Sequence, residues 1–335
     1  MGVLKKVLMG LGIAIAAVII VAVLLLIAGL YQVSVPPKIE VKSVAVVDHD
    51  SYPAIKIMFE TDKYPVKFYL MTPEGEEIYS TSASEPEKVV YLHLTPMKPY
   101  TNILKERKYV VKALYLDKEI WEEEMDVKGV EPSIEIIDVK GKPELLHLIL
   151  DSITIKVKNL GDVPLYVTNI PENIKVYVDG EKVSCTVETT TILPNESKEV
   201  KIELLLAFIE FDELSKDHSV EVEIANERVK HIIPKLEPEL KLLDRKYGES
   251  LGTSYIDNLT ISIANDWAFP IYVKWIRVFI NDKEYSALVS TIPGEIEEIG
   301  TGKTVKLTLK LPGLLAKKGS KVEIVLGASR LELRA

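Results

Sequence analysis

The stretch that opens at Glu131-Pro132 returns 106 residues later at Glu237-Pro238. Without a gap, the same offset carries Asp138 onto Asp244, Asp151 onto Asp257 and Asn159 onto Asn265. It carries Ile153-Thr154-Ile155 onto Leu259-Thr260-Ile261, and Pro164-Leu165-Tyr166-Val167 onto Pro270-Ile271-Tyr272-Val273. A four-residue deletion then brings Val176-Tyr177-Val178-Asp179-Gly180 onto Val278-Phe279-Ile280-Asn281-Asp282. A chain that repeats itself this way must build one supersecondary plan twice. The segment Pro37-Lys38-Ile39-Glu40-Val41 resembles Pro132-Ser133-Ile134-Glu135-Ile136, 95 residues on. Three domains are therefore expected, at 37–130, 131–234 and 235–335. Each is the size of a single sandwich, roughly 100 residues.

Within the repeats the hydrophobic period is two. Ile39–Val46, Ile153–Val157, Lys175–Val178, Val200–Leu204, Val220–Ile224, Leu259–Ile263 and Val305–Leu309 alternate or are rich in β-branched residues. Turn signals separate them at Pro73-Glu74-Gly75, Asp179-Gly180, Asn281-Asp282 and Pro312-Gly313. Short, regularly spaced strands predict an all-β fold of tandem immunoglobulin-like β-sandwiches. A Pro at each start interrupts strand pairing and stiffens the junction. The Leu204–Leu214 stretch is too apolar for a surface loop and reads as a short helix or a strand extension.

Both copies carry a strand, an Asn, four residues, a Pro and a second strand, at Asn159…Pro164 and Asn265…Pro270. Asn holds turns through its own backbone. Pro suits the first position of an edge strand. This predicts a structural corner rather than a ligand set. The pattern, with the Val176–Glu181 hairpin behind it, resembles the late-embryogenesis-abundant type 2 (water-stress) domain. It is also similar to the CARDB-like, immunoglobulin-like modules common on archaeal surface proteins. The resemblance covers the second and third domains. Where type 2 domains show Asn-Pro-Asn, this chain has Asn159-Leu160-Gly161 and Asn265-Asp266-Trp267. The first domain looks more like a fibronectin-type sandwich, with Lys67–Met71 and Glu77-Ile78-Tyr79 around the Pro73-Glu74-Gly75 turn. The resemblance implies seven-stranded sandwiches and a membrane-tethered, non-enzymatic role. It rests on fold-level analogy.

Ahead of the repeats, Val7–Leu30 is an uncharged apolar run of 24 residues. As a helix it would span about 36 Å, enough for a bilayer core of about 30 Å. Lys5 and Lys6 precede it and only Lys38 lies close behind, so the positive-inside rule places residues 1–6 in the cytoplasm. The later domains would then be extracellular. Tyr31 falls where an interfacial anchor sits. A cleaved signal peptide has a shorter apolar region, and Ala14-Ile15-Ala16 lies mid-run. A single-pass transmembrane helix bound to the lipid bilayer is the expectation. Gly10, Ala14 and Ala17 share a face that suits homodimer packing.

The remaining candidates for chemistry are few. With 50 acids against 41 Lys and Arg, the chain is a poor match for nucleic-acid phosphates. Thirty-five Glu and 35 Lys, with one Gln and one Cys, form the composition expected at high temperature. Cys185 aligns with Ala287 and reads as a small buried hydrophobe. The histidines 49, 93, 147, 218 and 231 show no local metal spacing, and Asp48-His49-Asp50 reads as a solvated loop, set against a calcium or metal site for which the loop offers too few oxygen ligands. Glu122-Glu123-Glu124 and Glu295–Glu298 read as solvated faces. Gly300-Thr301-Gly302-Lys303-Thr304 lacks phosphate-loop spacing and enters a strand. No nucleophile–base pair can be named, so no catalytic, cofactor or metal site is expected. Sequons at Asn195 and Asn258 suit N-glycosylation of an exported chain. Trp267, which replaces Gly161 in the repeat, is a candidate exposed binding anchor set against a core role. The expected function is a cell-surface structural or interaction protein with an envelope protein or glycan partner. The alternatives are a membrane-proximal lipid- or hydrophobic-ligand-binding module, or an accessory subunit of a secretion or motility complex.

Overall fold

A computed structural model describes residues 18–27, 35–171, 173–286, 290–294, 296–311 and 315–335. Strands dominate it. Residues 18–27 are helical and exposed, and among the described residues no helix is long and apolar enough to cross a membrane. The ends of the Val7–Leu30 run, with Lys5, Lys6 and Tyr31, lie outside the described residues. So do Ala287, Glu295 and the Pro312-Gly313 turn.

The described chain falls into two compact units where the sequence suggested three. The first holds seven strands: β1 (Ile39–His49), β2 (Tyr52–Thr61), β3 (Val66–Met71), β4 (Glu77–Ala83), β5 (Val89–His93), β6 (Arg107–Tyr115) and β7 (Lys118–Val127). They form a sheet ordered β1-β2-β5 and a second ordered β4-β3-β6-β7. Ile55, Ile57, Phe59, Phe68, Leu70, Leu92 and Val111 fill the core between them. Alternation causes this: in β2, residues 55, 57 and 59 are buried while Met58 and Glu60 face out.

The second unit takes in Asn102–Leu104 and Gly129–Ala335, so both copies of the repeat share it. Copy one comprises β8 (Pro132–Pro143), β9 (His147–Asn159), β10 (Leu165–Val167), β11 (Ile174–Val178), β12 (Glu181–Val187), β13 (Thr190–Ile192), β14 (Ser197–Glu210), β15 (His218–Ile224) and β16 (Glu227–Ile233). Copy two comprises β17 (Glu239–Ser250), β18 (Thr253–Asn265), β19 (Ile271–Tyr272), β20 (Arg277–Ile280), β21 (Lys283–Glu284), β22 (Ser290–Ile292), β23 (Glu298–Ile299), β24 (Lys303–Lys310), β25 (Lys321–Leu326) and β26 (Ser329–Arg334). In copy one, β8-β9-β14 lies in one ladder run and β16-β15-β11-β12 in the other, with β12 bridging them. Copy two separates the same plan into β17-β18-β24-β22 and β21-β20-β25-β26. This strand order is the immunoglobulin-like sandwich arrangement.

The register records the repeat more finely than the residue types do. The opening hairpin slips between Ile136 and Asp138, and again between Lys140 and Gly141. Its counterpart slips between Leu242 and Asp244, and between Lys246 and Tyr247, each 106 residues later. In the first unit β1 slips between Val41 and Ser43, 95 residues before the first of these. Each bulge adds a residue and bends the strand. Predicted turns form where the residues demand them. Asp179 and Gly180 have φ of 50° and 85° and join β11 to β12, and Asn281 and Asp282 (50° and 62°) join β20 to β21. These are the left-handed values that a two-residue hairpin requires. Leu204–Leu214 resolves into both readings at once. Strand β14 runs to Glu210 across a bulge, with Leu206 at φ 57° and almost fully exposed, and a 3-10 turn follows at Phe211–Glu213.

Candidate functional site

Three places concentrate polar or aromatic chemistry: the asparagine corners, the junction of the two copies, and a ring cluster in the first unit.

At the first corner, Asn159 is fully buried and its Nδ2 donates to the carbonyls of Val163 (2.7 Å) and Ile192 (3.1 Å). Its Oδ1 accepts from the Gly161 N–H at 3.1 Å. Asn265 repeats the set: Nδ2 donates to Phe269 (3.0 Å) and Ile299 (2.8 Å), and Oδ1 accepts from the Trp267 N–H at 2.9 Å. An amide offers two donors and one acceptor oxygen on a planar group, and each corner uses both. Both side chains are fully buried, with no face open to solvent. Pro164 and Pro270 precede the short strands β10 and β19, where a missing N–H costs nothing.

The corners position the junction. Residue Leu236 of the linker is fully buried; its N–H donates to the Leu214 carbonyl at 2.8 Å and its own carbonyl accepts from Ala328 at 2.7 Å. A Cβ at Gly327 would sit 2.2 Å from the Leu236 oxygen, so glycine is required there for space as well as for its φ of 59°. Trp267 is 5% exposed, which agrees with its core role and not with an exposed anchor. Its ring packs edge-on against Phe269, and its Nε1 donates to the Pro234 carbonyl at 2.6 Å. A buried indole N–H requires such a partner. Trp275 is also buried, at 1% exposure; its Nε1 donates to the Glu144 carbonyl at 2.7 Å. Phe211 of copy one stacks on it with centroids 5.8 Å apart. Arg277 lies over the Phe211 ring and pairs with Asp212. The adjoining cleft, about 340 Å³, is lined by Phe211, Asp212, Arg277, Glu323 and Arg330 among others. Arg330 is met by Glu323 at 3.2 Å, so both guanidinium groups already face carboxylates. The cleft has no surplus charge to offer an anion.

The ring cluster was not visible in the sequence. His49 ends β1, and His93 ends β5 on the far side of β2. His49 Nδ1 stands 3.1 Å from His93 Nε2. His49 stacks on Tyr91 at 3.8 Å, and His93 is stacked by Tyr52 (4.7 Å) and Tyr79 (5.0 Å). Burial, and secondarily the charge of His49, hold the His93 imidazole below its ordinary range. Among the described residues no three His, Cys, Asp or Glu side chains converge as a metal cage. The alternation of Tyr91 and His93 along β5 was the available signal; what was missing was that β5 pairs with β2.

The other candidates are quickly placed. Cys185 is half-buried in β12 rather than in the core, and burial raises its thiol pKa, which keeps it protonated. His218 is enclosed, with ring nitrogens held by Asp179 (2.7 Å) and the Glu213 carbonyl (3.0 Å). Gly300–Thr304 is a turn leading into β24. Asn195 is exposed in a turn at φ 63°, whereas Asn258 lies mid-strand in β18 with Nδ2 on Asp257 at 2.8 Å. In a host with an oligosaccharyltransferase facing these domains, Asn195→Gln is therefore expected to remove a glycan and Asn258→Gln to change nothing. Intact mass spectrometry reads both; a glycan lost only with Asn258→Gln would contradict this assignment.

No protein-family model matches the chain, and no curated protein matches it. Among solved structures it is similar to native alpha-2-macroglobulin from Escherichia coli spanning domains MG0-NIE-MG1. That match has 9% identity and a TM-score of 0.24, over 88% of this chain and 96% of that one. It is also similar to the YadV chaperone, at 13% identity and a TM-score of 0.16, over 55% of this chain and 92% of that one. Superpositions this loose carry no argument; the immunoglobulin-like description stands on strand order.

Proposed function

We propose that this chain is a membrane-anchored, non-enzymatic surface protein, a structural or interaction module of an archaeal-type envelope. Val7–Leu30 serves as the single-pass anchor with the N-terminus cytoplasmic. Sandwiches at 37–130, 131–234 and 235–335 project from it, the last two related to late-embryogenesis-abundant type 2 and CARDB-like modules. The observation that supports this reading is the use made of the repeated polar residues. The side-chain hydrogen bonds of Asn159 and Asn265 go to backbone groups, and Leu236 and Pro238 of the linker are buried. The partner on this reading is another envelope protein or a glycan.

Protease added to sealed cells tests the topology. Residues 37–335 are expected to be cut from outside while the first six residues stay protected. Protection of 37–335 would overturn the proposal. Co-purification of a stoichiometric partner in mild detergent would favour the accessory-subunit reading.

A further inference from the structure

We infer that His49 and His93 together form a binding site for a divalent transition-metal ion, with Cu²⁺ preferred over Ni²⁺ and Zn²⁺. The two facing nitrogens are 3.1 Å apart. At metal–nitrogen bonds of about 2.0–2.1 Å, that spacing closes an angle of roughly 98° at the ion. The angle falls between the right angle of a tetragonal site and the wider tetrahedral one, so either geometry is reached by a small rotation. The preference for Cu²⁺ follows from imidazole ligation and the general order of divalent affinities.

The rings are held ready. His49 is fixed by its stack on Tyr91, and His93 by Tyr52 and Tyr79. Little ring freedom is lost on binding, which is what preorganisation supplies. The Asp50 carboxylate lies 3.9 Å from His49 Nε2, on the ring edge away from His93. That carboxylate stands at ion-pair range, beyond hydrogen-bond reach of the ring. Without an ion the two facing nitrogens share one hydrogen bond, its donor set by the tautomer, and an ion takes the place of that proton. The His49 side chain is 32% exposed, so an ion can enter and water can complete its shell. Binding moves protons between ring nitrogens and requires no oxidant or other co-reactant. The site is open, with two protein ligands, and suits an ion that is sensed, exchanged or shared with a partner surface.

Cu²⁺ titrated into the full-length protein in detergent, followed by calorimetry and electron paramagnetic resonance, tests this. One ion per chain is expected, with hyperfine splitting from two nitrogens. His49→Gln and His93→Gln should each weaken binding by at least about 100-fold, more than loss of an outer partner usually costs. His231→Gln, in the second unit, should leave it unchanged. Binding by either histidine variant equal to that of the unaltered chain would overturn the proposal. So would a spectrum from the unaltered protein without nitrogen splitting, a result that does not depend on any variant folding.

Discussion

Asn159→Ala and Asn265→Ala are each expected to destabilise the second unit by about 3–5 kcal/mol, as two or three buried backbone groups lose their partners at about 1–3 kcal/mol apiece. In Asn265→Ala the orphaned groups are the Phe269 and Ile299 carbonyls and the Trp267 N–H. A loss that large is a considerable share of a domain's total stability. Asn→Asp should rescue only the acceptor half, because a carboxylate cannot donate to the two carbonyls. Asn258→Ala is the matched control. Its Oδ1 is buried with no partner and its Nδ2 makes one bond, to the Asp257 side chain, so the cost should stay near about 1 kcal/mol, well below that of the corners. Denaturant unfolding of the full chain reads all four. Corner variants that unfold at the unaltered midpoint would show that the corners are not what holds the sandwiches closed.

Trp275→Ala should be as costly, about 3–5 kcal/mol, and should also change the form of the transition. The indole is buried, stacks on Phe211 and donates to the Glu144 carbonyl. Its truncation removes a large aromatic side chain and leaves a cavity. Because Phe211 and Glu144 belong to one copy and Trp275 to the other, the loss falls on their coupling as well as on copy two. The unaltered second unit is expected to melt as one cooperative step, and the variant in two. Calorimetry separates the outcomes. A single step at an unchanged temperature would mean that the copies are coupled elsewhere.

Local rules made the hairpins legible. Asp179-Gly180 and Asn281-Asp282 can scarcely do anything but turn, and alternation in β2 and β9 assigns their inner faces. The asparagine corners were legible as turns, but the third bond, to Ile192 or Ile299, crosses 33 or 34 residues and has no local signature. His49 and His93 are 44 residues apart and meet across an intervening strand, so spacing rules could not join them. For Trp267 the core role, rather than the exposed anchor, is the one the structure bears out: it is buried, and the linker carbonyl of Pro234 receives its indole N–H. The grouping of both copies into one unit had a sequence trace. Leu236 stands before the second Glu-Pro pair, between the copies, and is buried. An apolar residue in a linker is a sign that the linker is packed.

The long opening hairpins have a mechanical consequence. Tension along the chain enters each copy through its first strand, and hydrogen bonds of an antiparallel ladder lie across that direction. A pull on β8 thus strains eleven register pairs at once, from Pro132↔Asn159 to Pro143↔Leu148, and β17 has eleven of its own. Peeling would break such bonds one after another, whereas sliding must break them together, as in a lap joint. Asn159 faces Pro132 at the end where the pull arrives. Its three side-chain bonds, to Gly161, Val163 and Ile192, tie that end of β9 to the corner and to β13.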